Sequence, residues 1–145
     1  MRVETILSPP FAAADFIILD ETERHRRRHR MVSHGGVEFV LDLPEARLIN
    51  DGEGLKLEDG TIIEVRAAAE KLYIVRAANK LELVKLAWQL GNRHLPVQIL
   101  DQAIIIRRDH VIKDMLIGLG ASVEDIDAPF HPEVGAYHHS HGHHD

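Results

Sequence analysis

The sequence predicts an α+β protein in three parts: a small all-β, peptide-binding-like domain over residues 1–69, a ferredoxin-like βαββαβ domain over residues 70–128, and a flexible His-rich tail over residues 129–145. Three observations carry this expectation. Short β-prone runs separated by turn residues fill the first half. After Ala67-Ala68-Ala69-Glu70 strand patterns alternate with helical ones, and five of the last eight residues are histidine (His138, His139, His141, His143 and His144).

In the first half, residues 16–19, 37–43 and 61–67 read as strands, divided by turn signals at Gly35-Gly36, Asn50-Asp51-Gly52 and Asp59-Gly60. In Val37-Glu38-Phe39-Val40-Leu41-Asp42-Leu43 every odd position is apolar, as a strand with one buried face requires. In the second half, residues 71–77 form a strand. Asn79 then N-caps a helix, with Glu82 closing a capping box, Gly91 ending it and Leu81, Val84, Ala87, Trp88 and Leu90 near 3- and 4-residue spacing. Residues 97–100 and 103–107 pair across Asp101-Gln102. Asp109 caps a second helix carrying Val111, Ile112, Met115, Leu116 and Leu119 and closed by Gly118 or Gly120, and residues 122–126 make the last strand. The order is that of the split βαβ unit.

Composition narrows the chemistry. The chain of 145 residues has no cysteine, which excludes disulfides, Cys-ligated zinc and thiol catalysis and fits a reducing, cytoplasmic setting. No run approaches the ~18 consecutive apolar residues of a membrane helix, so a soluble protein is expected. The formal charge is −6 with all eleven histidines neutral, and full protonation would reverse its sign. Neutral imidazole suits Ni, Cu and Zn, whereas Mg and Ca want oxygen. The alternative for the tail is an expression tag, against which Ser140 and Gly142 interrupt the histidine series.

Topology brings the candidate ligands together. In a βαββαβ unit the connection after the first helix, the start of the second helix and the end of the last strand share one end of the sheet. Those places hold His94, His110 and the root of the tail. His94 lies in Gly91-Asn92-Arg93-His94-Leu95-Pro96, where Gly91 is read as the helix stop and Pro96 as forcing His94 and Leu95 towards extended backbone.

Gly91-Asn92-Arg93-His94-Leu95-Pro96-Val97-Gln98-Ile99, then Asp109-His110-Val111-Ile112-Lys113-Asp114-Met115-Leu116, then Pro132-Glu133-Val134-Gly135-Ala136-Tyr137 and a His-rich end resemble the UreE family of urease accessory proteins. The resemblance covers essentially the whole chain. It implies a non-enzymatic metallochaperone with Ni(II) as cargo, a homodimer in which two copies of His94 share a nickel ion, and His110 with the tail histidines as further ligands. It also implies as partners the urease accessory GTPase and the urease apoprotein–accessory complex, with nickel storage or metal-responsive binding as the alternative. Two positions depart from the family pattern: Arg108 stands where some members carry a histidine, and Pro44-Glu45-Ala46 replaces a Pro-Arg-Gly-like turn. Cu(II) and Zn(II) are expected to bind in vitro.

Rival chemistries find less support. The run Glu23-Arg24-His25-Arg26-Arg27-Arg28-His29-Arg30 could contact phosphates, but it lacks interleaved aromatics and reads as a solvated strand or a docking face for an acidic protein, with no nucleic acid or membrane partner expected. No His-Glu-x-x-His, Gly-x-Ser-x-Gly or phosphate-cradling glycine loop points to an enzyme.

Overall fold

A computed structural model describes residues 1–133. These residues divide into two compact units, 1–68 and 69–133. Among them no helix is long and apolar enough to cross a membrane.

The first unit contains β1 (Val3–Leu7), β2 (Asp15–Leu19), α1 (Glu21–Arg24), β3 (Arg28–Val32), β4 (Glu38–Asp42), β5 (Gly54–Leu57) and β6 (Ile62–Ala67). One sheet has the order β1-β5-β6-β2, with β2 parallel to β6, and β3 pairs with β4 in a separate ribbon. The alternation read in β4 is realised: Phe39 and Leu41 are buried beside Ile17, Leu19, Met31, Leu55 and Val65. Turns form where glycine was expected to allow them, with Gly52 and Gly60 at φ +88° and +90°.

Helix α1 interrupts what was expected to be purely β. Asp20 accepts a hydrogen bond from the Glu23 N–H (2.8 Å) and the Glu23 carboxylate accepts one from the Asp20 N–H (3.0 Å), a complete capping box. This turn buries Arg24, whose Nη1 donates to the Ile49 carbonyl at 3.1 Å. The arginine run is therefore not one solvated face: Arg24 is structural, Arg28 pairs with Asp42 at 3.3 Å, and Arg26, Arg27 and Arg30 are exposed.

The second unit contains β7 (Ala69–Arg76), α2 (Lys80–Asn92), β8 (Gln98–Ile99), β9 (Ile104–Arg107), α3 (His110–Gly118) and β10 (Ser122–Pro129). Its sheet has the order β10-β7-β9-β8, antiparallel throughout. Tyr73, Val75, Ile104 and Ile106 meet Leu83, Leu86 and Leu90 of α2 and Ile112 and Leu116 of α3. Both N-caps fall at the expected residues: Asn79 accepts from the Glu82 N–H (2.9 Å), and Asp109 from those of Val111 (2.9 Å) and Ile112 (3.1 Å). The Glu82 carboxylate faces Lys85 at 3.6 Å, so the box expected there is a one-sided cap.

Two expectations for α2 are corrected. Leu83, Leu86 and Leu90 form the buried row, whereas Leu81, Val84 and Trp88 are 63%, 58% and 65% exposed. Gly91 is not the helix stop, since it lies inside α2 and the cap falls at Arg93.

Residues 129–133, expected within the tail, are held against the sheet. Pro129 still pairs with Ala69, and Phe130 is buried with Leu72 and Ile105 on the face away from the helices. His138, His139, His141, His143 and His144 lie outside the described residues.

Candidate metal centre

The end of α2 explains how His94 is presented. A helix closed by a Schellman motif places one residue in the left-handed region, usually glycine, while its own backbone N–H and that of the following residue turn back onto orphan carbonyls. Here His94 occupies that position, at φ +60°. Its N–H donates to the Gly91 carbonyl (3.0 Å) and that of Leu95 reaches the Leu90 carbonyl (3.4 Å). Leu95 then packs into the core that holds Leu90, the apolar contact that goes with this closure. The expectation that Pro96 makes His94 extended is thus overturned, because proline restricts only the residue directly before it, which is Leu95.

The other helix of the unit shows what the ordinary solution looks like. α3 closes with the same pair of bonds, Gly120 N–H to Ile117 O (2.9 Å) and Ala121 N–H to Leu116 O (3.0 Å), and Gly120 stands at φ +91°. His94 is the only described non-glycine residue at positive φ. A left-handed non-glycine residue costs on the order of 1 kcal/mol. The imidazole therefore sits at a place where a plain helix end would put glycine, and it is exposed.

His110 is the first residue of α3, exposed and directly after its cap Asp109. The two histidine-bearing segments share one end of the unit, since Leu95 and Pro96 after His94 line the same shallow hollow as Arg108, Asp109 and Ile112. Arg108, where some relatives were expected to carry histidine, ties this end together. Its Nε donates to Leu72 O (3.1 Å), and its Nη2 to Ile126 O (3.0 Å) and Asp127 (3.4 Å). That role needs the five-donor fork of a guanidinium.

Among the described residues no group of three or more His, Asp or Glu side chains converges as a metal site within one protomer. His94 and His110 are exposed imidazoles at one end of the unit and belong to no such group. Sequence reasoning also passed over the segment after β10. His131 donates its N–H to Gln98 Oε1 (3.0 Å) and Glu133 donates its own to the Val97 carbonyl (2.7 Å), which puts the end of the described chain close to the loop of His94. The signal available was Phe130, an apolar residue among polar and proline neighbours.

Comparison with known proteins follows the same division of the chain. A family model described as the N-terminal domain of the UreE urease accessory protein matches residues 3–68, and one for the C-terminal domain matches residues 70–145. The chain is 62% identical over 148 residues to a urease accessory protein UreE of Chelativorans sp. (strain BNC1), covering 99% of this chain and 94% of that one. It is 56% identical over 134 residues to the corresponding protein of Bradyrhizobium sp. (strain ORS 278), covering 90% and 64% respectively. Against that of Agrobacterium fabrum (strain C58) it is 47% identical over 137 residues, covering 94% and 84%.

Proposed function

This chain belongs to the UreE family of urease accessory proteins, and we propose that within urease maturation it is the nickel carrier, a non-catalytic metallochaperone that delivers Ni(II) to the forming active site. The observation that carries the reading is His94, an exposed imidazole held in left-handed backbone at a helix end where glycine would cost less. Strain of this kind persists where the surrounding structure enforces it, and it concentrates at working sites.

One imidazole binds nickel weakly, and a two-fold axis converts one exposed histidine into two ligands without further sequence. The unit offers a surface for such a pairing. Leu81, Val84 and Trp88 form an exposed apolar row along α2 that runs towards the end bearing His94, and Val111 is exposed beside His110. Burial of that row against its copy would bring the two His94 loops to a common axis, with His110 and His138, His139, His141, His143 and His144 as additional donors. The element order of residues 69–133, with its antiparallel β10-β7-β9-β8 sheet, supports the ferredoxin-like assignment of this domain. Docking partners on this reading are the urease accessory GTPase and the urease apoprotein–accessory complex, met in the cytoplasm.

Equilibrium titration of the intact protein with Ni(II), with mass followed by light scattering, tests the first half. One tightly held ion per dimer is expected, lost in His94→Ala. Transfer from the loaded dimer to the urease apoprotein complex tests the second half, because a storage protein binds equally well but does not speed activation. A His94→Ala protein that activates urease as well as wild type would refute the proposal.

A further inference from the structure

We propose that β3 is a docking edge for an extended acidic segment of another protein, which adds to the β3-β4 ribbon as a third strand. The inference concerns the first unit alone and uses no metal, so it is independent of the nickel reading above.

The ribbon's own bonds fix which backbone groups face outwards. The Leu43 N–H donates to Arg27 O (2.8 Å) and the Ser33 N–H to Val37 O (2.9 Å), so the odd-numbered residues of β3 are those bonded to β4. The N–H and C=O groups of Arg28, Arg30 and Val32 therefore point away from β4, and among the described residues nothing is bonded to them. Edges elsewhere are closed by the chain itself: Phe16 O of β2 accepts from the His34 N–H (2.8 Å), the Val40 N–H of β4 donates to Met1 O (2.8 Å), and Glu133 lies along β8. The side chains of Arg28, Arg30 and Val32 share one face of the ribbon and all are exposed. Arg28 pairs with Asp42 at 3.3 Å, an exposed contact of small worth. Arg30 stands opposite Val40, and among the described residues no carboxylate pairs with it.

An added strand would set its side chains about 5 Å from those of Arg28, Arg30 and Val32. Carboxylates at two alternate positions match the arginines. An aliphatic residue matches Val32, where a third carboxylate would approach Glu38 on the far side of the ribbon. Charge makes the edge selective. The chain carries −6 overall, yet Arg26, Arg27, Arg28 and Arg30 stand together with no acid among them. The acidic edge strand β10, with Glu124, Asp125 and Asp127, repels the same segment. Two copies of β3 would set arginine against arginine, which disfavours their pairing. A phosphodiester backbone offers acceptors for the arginines but no donors for the three outward carbonyls, whereas a peptide backbone supplies both. The competing role is a cationic edge that discourages strand addition altogether. The two differ in what happens when an acidic strand is supplied.

The blocked peptide Thr-Val-Thr-Glu-Thr-Glu-Thr, added to the intact, metal-free protein, supplies the test. Antiparallel addition sets its valine against Val32 and its glutamates against Arg30 and Arg28, and the reversed sequence serves parallel addition. At ten times the Kd, amide exchange at Arg28, Arg30 and Val32 should slow about tenfold. His29 and Met31, whose N–H groups already serve β4, should not change. Arg28→Glu with Arg30→Glu should weaken binding about tenfold or more. Val32→Pro keeps every bond of the ribbon but removes one outward N–H, and should weaken it about fivefold. Thermal unfolding checks the fold of both variants. Equal slowing across residues 28–32, slowing centred on β10, or equal binding of a lysine-for-glutamate peptide overturns the proposal. Binding that slows no amide is attraction of charge alone and overturns the third strand. Failure of both orientations to bind at low salt leaves β3 a protective edge and also overturns it. Salt-sensitive growth in mass without peptide, abolished by the arginine reversals, overturns it in favour of β10 of a second copy. Preference for oligothymidylate over the peptide does so in favour of nucleic acid.

Discussion

Replacing His94 by glycine should make the protein more stable and at the same time useless as a carrier. His94 carries a Cβ at φ +60°, whereas the equivalent position of α3 is Gly120. Relief of a left-handed non-glycine residue is worth ~1–2 kcal/mol, and the extra unfolded-state entropy of glycine returns ~0.5–1 kcal/mol of that. The net gain expected is therefore about 0.5–1 kcal/mol, or ~2–8 °C in the midpoint of the second unit. His94→Ala keeps the Cβ and the strain, so it should be neutral or slightly destabilising. The side chain is exposed and makes no hydrogen bond that its loss would orphan. Urea unfolding of the metal-free forms of all three proteins gives the stability order, and Ni(II) titration gives the function. Glycine above histidine with tight binding lost in both variants is the expected pattern. A glycine variant less stable than wild type would refute the argument that His94 is held against its preference.

Removing residues 138–145 should lower the number of Ni(II) ions bound but leave a dimer with one shared site, as counted by titration with light scattering. Trp88→Asp should dissociate the dimer. Trp88 is the single tryptophan, so its emission should shift to the red when wild-type protein is diluted below the dimer range, and an unchanged spectrum with a dimeric aspartate variant would remove α2 from the interface. Competition titrations should favour Cu(II) over Ni(II), following the general affinity order. In the first unit the Ser33 hydroxyl, followed by the Phe16 and Gly35 N–H groups, holds Asp15 below the ordinary carboxylate value. Its folded value is the lower one, so its stabilisation is present above the unfolded value and fades as pH falls through the folded one. Asp15→Asn should thus be destabilising near neutrality and indistinguishable from wild type in strong acid, when the two are compared by thermal unfolding across pH.

What could be read in the sequence was local. Asn79 and Asp109 cap because a short side-chain acceptor meets free N–H groups wherever the helix begins, and β4 alternates because its neighbours fill one face. The buried face of α2 was not local. Leu83-Leu86-Leu90 and Leu81-Val84-Trp88 have the same spacing, and only the sheet decides which row it covers. Placing His94 and His110 at one end followed from chain direction alone, whereas the backbone state of His94 did not. The glycine rule pointed to Gly91, but a helix stops at the residue that reaches the left-handed region, and here tertiary packing of Leu95 fixes that residue as His94. The segment after β10 left almost no trace because it has no period: one ring and three hydrogen bonds hold it.

A site that must give up its ion cannot be as complete as one that keeps it. The described residues of a single protomer bring no three donors together, so tight binding on the proposed reading has to draw on a second copy of His94 or on the segment beyond Glu133. On that reading a second copy can be withdrawn without unfolding a domain. Ligands that leave one at a time let an acceptor replace them stepwise, which keeps the ion coordinated throughout and avoids the barrier of releasing it to water. The strained histidine is the part that stays. Held at a helix end with Leu95 buried behind it, it would not follow the departing metal, and the empty site would return to the same geometry for the next ion.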